Sequence, residues 1–149
     1  MKLFSLTTWL LLAVSSAIAQ GPVLPCYVPL LEVKVLDGAT VQSSLFIPWR
    51  KNIVERNSIR ANNYDAFEAS RRRTTLKITD EEIERGRKAT TALVNLLASG
   101  QAYAIFGPFP DGAQDAYGRL TASLYLQRPD GKIIDVAEEM KRLKYDRND

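Results

Sequence analysis

In the segment Ile59-Arg60-Ala61-Asn62-Asn63-Tyr64-Asp65-Ala66-Phe67-Glu68, an arginine is followed five residues on by an aspartate and three further on by a glutamate. A second arginine, Arg119, sits in Ala116-Tyr117-Gly118-Arg119-Leu120, and a further acid, Asp37, in Val35-Leu36-Asp37-Gly38-Ala39-Thr40-Val41. These residue types suit an anionic phosphodiester. Its transition state gathers charge on the equatorial oxygens, and two guanidiniums can bind those oxygens in bidentate geometry, which lysine cannot. A carboxylate near a water can act as its base. A hard divalent cation held by carboxylates can add charge stabilisation. The chain has no histidine, which excludes Ser-His-Asp and Cys-His triads and histidine-ligated zinc.

Several segments can position these groups. Tyr27 to Leu36 is rich in Val, Leu and Tyr, and Glu32, Val33, Lys34 and Val35 alternate polar with apolar, which predicts a strand. Asp37-Gly38 breaks it. Thr40 to Trp49 reads as a second strand ending near Pro48, followed by a polar bend over Arg50 to Arg56. A weaker third strand spans Ser58 to Tyr64, since Asn62 and Asn63 are poor strand formers. Asp80 to Ser99 is a long helix. Thr79 and Glu82 form a capping box, Asp80, Glu81 and Glu82 suit the helix start, and Gly100 provides the stop. Ile83, Thr90, Leu93, Val94 and Leu97 are expected on one apolar stripe that plugs a barrel. Tyr103 to Phe106 and Leu120 to Gln127 read as strands four and five. Asp130-Gly131 is a turn, Lys132 to Ile134 returns the chain, and Asp135 caps a short helix from Val136 to about Tyr145. The fold class expected is α+β: a five-stranded OB-type β-barrel with a long helix after the third strand and a short C-terminal helix.

The 149 residues suffice for one domain. With 46% hydrophobic and 25% charged residues, disorder is not the default reading. Lys2, an apolar run from Trp9 to Val14 and Ala17-Ile18-Ala19 have the form of a signal peptide cleaved after Ala19. A retained anchor is the rival reading. The expected organisation is a signal peptide over 1–19, a lead-in over 20–30 and a domain over 31–149. Lys+Arg 20 against Asp+Glu 17 gives +3, or about +2 without Lys2. Such a mild excess means that nucleic-acid affinity has to come from placed arginines rather than bulk charge. Cys26 is the one cysteine, so no internal disulfide forms. Its bland reading is a small residue near the first strand; the other is a free thiol.

Taken in chain order, residues 35–41, 59–68 and 116–120, with a helix between the second and the third, the three motifs resemble the staphylococcal nuclease family over roughly residues 31 to 145. The resemblance implies hydrolysis of a phosphodiester with calcium as cofactor. Matched position by position, it implies that Glu68 activates or orients the attacking water and that Arg60 and Arg119 grip the phosphate. It makes Asp65 a calcium ligand, with Asp37 close to the metal and the Ala66 backbone carbonyl offered to it. The family's first motif normally carries a second aspartate, a direct calcium ligand, where this chain has Ala39; calcium binding is expected to be weak. Phe67 replaces a proline, so that loop is expected to be less rigid. Tyr117 is a candidate to stack on a base or to pack at the barrel mouth. Arg71-Arg72-Arg73 reads as a solvated face or as a patch that tracks phosphates, and Trp49 as hairpin packing.

The function expected is that of an exported metal-dependent phosphodiesterase or endonuclease acting on DNA or RNA with low sequence specificity, secreted or periplasmic and monomeric. No membrane association is expected after signal cleavage, and no protein partner is evident. The alternative is a catalytically lapsed nuclease-like module that binds nucleic acid or nucleotides without cutting.

Overall fold

The computed structural model describes residues 27–47, 52–69, 78–107 and 114–148. The leader, Cys26, Trp49 and Arg71 to Arg73 lie outside them. Strands β1 (Tyr27–Asp37), β2 (Thr40–Ile47) and β3 (Asn52–Ala61) precede helix α1 (Asp80–Leu97). Strands β4 (Gln101–Phe106), β5 (Leu120–Gln127) and β6 (Ile133–Asp135) follow, and helix α2 (Val136–Arg142) comes last.

The sheet order is β3-β2-β1-β4-β5-β6, with an additional pairing of β3 to β5. That pairing is parallel, Ile59 to Leu120, Arg60 to Thr121 and Ala61 to Ala122, and it closes a five-stranded mixed barrel. The molecule is therefore an α+β, OB-like fold, as the element order implies, with β6 added against β5. Closure pairs the end of β3, Ile59 to Ala61, with β5 and so removes that stretch of free strand edge.

Alternation decides the interior. Ala102 and Ala104 of β4 and Ala122, Leu124 and Leu126 of β5 point inward. In β1 the inward phase changes partway along. Val28 and Leu30 are buried, then Val33 and Val35 pack against the core. Glu32 lies between them at φ 52°, where the β1–β2 register shifts. One bulged residue moves each later side chain to the opposite face, so both halves of the strand serve the core. The buried residues Val28 and Leu30 also carry the barrel back to Tyr27, into the expected lead-in.

β3 starts earlier and ends earlier than expected. Its backbone pairs with β2 from Ile47–Asn52 to Thr40–Arg60, and these ladder bonds prevail over the polar composition of the segment read as a bend. Asn62 and Asn63 leave the strand as bends.

α1 begins as expected. The Glu82 backbone N–H donates to Thr79 Oγ1, and the Thr79 N–H to Glu82 Oε2 at 2.9 Å. Its buried line is Gly86, Ala89, Leu93, Leu96 and Leu97, and Val94 is exposed. The inward face is thus rotated from the expected stripe, because small residues let the helix approach the barrel closely. The helix also ends without a left-handed Gly100. The Ala98 N–H donates to Val94 O and the Ser99 N–H to Leu96 O, so the last turn tightens on right-handed residues. In α2, Asp135 Oδ1 accepts from the Ala137 N–H at 2.8 Å. The helix stops at Arg142, and Lys144, at φ 61°, turns the chain back. No helix among the described residues is long and apolar enough to cross a membrane.

Candidate functional site

Arg60 stands at the end of β3, with Thr40 of β2 on one side and Thr121 of β5 on the other. The barrel-closing pairing therefore sets it near the start of β5, where Arg119 lies. The Arg60 guanidinium pairs with the Asp65 carboxylate, and its Nη1 is 4.0 Å from Asp37 Oδ1. Asp37 ends β1 and uses the same oxygen to accept from the Ala39 N–H at 2.9 Å, closing the Asp-Gly turn. The Ala61 N–H donates to Ala39 O, and the Tyr64 hydroxyl donates to Gly38 O at 2.7 Å. The first motif is thus bonded to the second through the backbone and one buried phenol. Burial, with Asp37 nearby as the next cause, pushes the Tyr64 phenol far above its usual range, although Arg60 opposes the shift. Tyr64 stays a neutral donor.

The glutamate-bearing segment is clamped from two sides. Ala66 and Phe67 are buried, and the Arg85 guanidinium of α1 lies 3.9 Å from the centre of the Phe67 ring. Phe67 is therefore packed under Arg85 at the position where the resemblance has a proline. Gly86 receives the next residue: a Cβ there would fall 2.4 Å from Glu68 O. Only a glycine lets the helix meet that backbone. The Glu68 side chain remains exposed.

Arg119 is positioned by a residue the sequence reading did not single out, Asp115. Its Oδ2 accepts from Arg119 Nε at 2.7 Å, and its Oδ1 accepts from the backbone N–H groups of Tyr117 and Arg119, both at 2.9 Å. Partial burial raises the Asp115 carboxyl, but the bonds from the Arg119 backbone, the Arg119 guanidinium and the Tyr117 N–H outweigh it and hold the group below the usual carboxylate range. An aspartate ahead of Tyr-Gly-Arg is an Asx-turn signal that could have found it. Tyr117 is 85% exposed, so it does not pack at the barrel mouth; the Arg119 guanidinium is 5.4 Å from its ring centre.

Asp37, Arg60, Glu68, Tyr117 and Arg119 line one cleft of about 520 Å³. Three stretches far apart in sequence meet there. Asp65 and Ala66 lie beside it. Asp65 faces Arg60, and Ala66 forms a backbone bridge with Asp146.

Calcium takes six to eight oxygens, several of them anionic. On the side of the cleft where the resemblance puts the ion, Asp37 closes its own turn and Asp65 is paired with Arg60. Ala39 presents a wholly buried methyl group. Among the described residues no group of three or more His, Cys, Asp or Glu side chains is arranged to hold a metal. As arranged, these residues do not fit a resident calcium.

No protein-family model matches this chain, and no curated protein matches it.

Proposed function

We propose that this protein is an exported nuclease of the staphylococcal type, holding a backbone phosphate of DNA or RNA between Arg60 and Arg119 and hydrolysing it with Glu68. The observation that carries the reading is the single cleft shared by two guanidiniums, an exposed carboxylate and an exposed tyrosine. Glu68 accepts a proton from water as the water oxygen attacks phosphorus, and the leaving oxygen departs from the opposite side. The guanidiniums stabilise the charge that grows on the remaining phosphoryl oxygens, a contribution of about 3–4 kcal/mol for each such group. Tyr117 offers an exposed ring to a base. Asp65, Asp37 and the Ala66 carbonyl are the groups to which the resemblance assigns calcium. Because they do not fit a resident ion, no step is assigned to a metal. Export rests on the leader read from residues 1–19.

One observation favours a second reading, binding without cutting: the buried Ala39 methyl where the resemblance implies a carboxylate. Cleavage of a fluorescently labelled DNA strand, across a calcium titration with a chelator control, separates the two. Cutting by the natural chain that disappears in Glu68→Gln supports the nuclease. Cutting gained only in Ala39→Asp moves the binding module to first place. Neither cutting nor salt-sensitive binding by the natural chain would sink both readings.

A further inference from the structure

The end of the chain returns to the back of the cleft. After α2, the left-handed Lys144 turns residues 145–148 alongside Asp65 and Ala66. Asp146 is 4% exposed. Its Oδ1 accepts from the Asp65 N–H at 3.3 Å, the Asn148 N–H at 3.1 Å and Asn148 Nδ2 at 3.2 Å. Its Oδ2 is 3.7 Å from Lys141 Nζ. The next residue completes the contact, since the Arg147 N–H donates to Asp65 O at 2.7 Å. Both backbone polar groups of Asp65 are therefore held by two consecutive residues of this turn. The Asp65 side chain, in turn, holds Arg60. On the far side of the same segment, Arg85 covers Phe67 and approaches Lys144 O at 3.5 Å.

We propose that the Asp146–Arg147 turn is a clasp that sets the Asp65–Arg60 pair and thereby aims the Arg60 guanidinium into the cleft. Asp146 is a positioning residue, because it acts on Arg60 only through Asp65. A carboxylate this buried is stabilised by partners, and three of its contacts are local to the turn or to α2. The contact to the Asp65 N–H is the one that reaches the site. Acting on both the N–H and the C=O of one residue fixes the peptide planes on either side of it, and so the direction of its Cα–Cβ bond, while the pairing with Arg60 sets the carboxylate itself. The role in turnover rests on the phosphodiester reading; the positioning of Arg60 does not.

The test separates these. In the ¹⁵N-labelled protein without ligand, Asp146→Ala should speed hydrogen exchange of the Asp65 amide by about tenfold or more and shift the Arg60 Nε–H resonance, while Ala102 and Ala104 in β4 stay unchanged. Asp146→Asn keeps an acceptor oxygen and should restore both signals. If the alanine variant does not fold, Arg147→Pro removes the N–H given to Asp65 O and should produce the same two changes. An unmoved Arg60 resonance in a folded Asp146→Ala or Arg147→Pro protein overturns the clasp. In cleavage assays the alanine variant should lower kcat by about tenfold to a hundredfold with little change in KM. If the natural protein cuts neither DNA nor RNA, the nuclease reading fails, and the clasp is judged by the two resonances alone.

Discussion

Glu68 and Asp115 are both acids at the cleft, and their surroundings give them opposite jobs. Glu68 is exposed and free to meet a water, whereas Asp115 is committed to Arg119 through both oxygens. Glu68→Gln should therefore lower cleavage by about 10²–10⁴-fold, the usual worth of a general base, and leave the thermal midpoint unchanged. A single-turnover assay beside a melting curve checks it, and full activity in that variant removes Glu68 from the mechanism. Asp115→Ala should act through Arg119 instead, lowering kcat by letting that guanidinium swing and weakening oligonucleotide binding as well, while the Glu68 base stays in place. The Asp115 carboxyl is held below its usual range. Its pairing is therefore fully present above the unfolded carboxylate value of about 4 and is lost only as pH falls through the lowered folded value. The Arg119 Nε–H resonance should hold steady down to about pH 4 and move below it, and Asp115→Asn should abolish that acid step. The spacing of five residues between Arg60 and Asp65 was legible, but their pairing was not, and neither were the roles of Asp115 and Asp146, because the weight of each comes from what it touches.

At the scale of elements, α1 was legible in its start and length, since Thr79 and Glu82 cap it through local bonds. Which face turns inward was not legible. Hydrophobicity favoured Ile83, Thr90 and Val94, but close packing on the barrel selected the smaller Gly86 and Ala89. This distinction can be measured. Thr79→Ala should cost about 1 kcal/mol of stability, as lost caps do, and leave ligand binding intact. Gly86→Ala should cost about 1–3 kcal/mol through overpacking, against a gain in helix propensity of up to about 1 kcal/mol. Because the new Cβ meets the Glu68 backbone, it should also disturb cleavage, which Thr79→Ala does not. Equal activity in the two variants, measured by denaturant unfolding and turnover in parallel, would show that the helix contact does not position Glu68. β3 carries the same lesson. Its second half follows the strand expected from Ser58, but residues 52–56, polar enough to suggest a bend, become strand through pairing with β2.

For the molecule as a whole, closure between β3 and β5 is what makes a site, because it brings Arg60 to the strand that follows Arg119. One phosphate held in one cleft predicts shallow salt dependence. The logarithm of oligonucleotide affinity should fall with the logarithm of salt with a slope of about −0.7 to −0.9 per phosphate neutralised. A titration with a clearly steeper slope, flattened by substituting Arg71, Arg72 and Arg73, would mean that the basic run tracks further phosphates. Stability should narrow at both ends of the pH scale. Asp146, raised by burial but held below its usual range by the N–H groups of Asn148 and Asp65 and by Lys141, contributes above about pH 4 and is lost as pH falls through its lowered value. Tyr64, raised by burial, contributes fully below about pH 10 and loses that contribution as pH climbs toward its raised value. Asp146→Asn and Tyr64→Phe should each flatten one limb of a stability-against-pH curve.

The amino-acid sequence by itself determined the properties that depend on near neighbours. These are the strand alternation in β4 and β5, the capping boundary at Thr79 and Asp135, the Asp37-Gly38 turn, the absence of histidine chemistry, and the order of elements that closes as an OB-like barrel. Tertiary structure alone decided the phase change at Glu32, the inward face of α1, the commitment of Asp37 and Asp65 to protein partners, and the return of Asp146 to Asp65. The inward face of α1 and the return of Asp146 depend on groups brought together across tens of residues, while Asp37 to Ala39 and Asp65 to Arg60 are short spacings whose partner only the folded backbone selects. A one-dimensional pattern records the period of a chain but not the partner that each residue meets when the barrel closes.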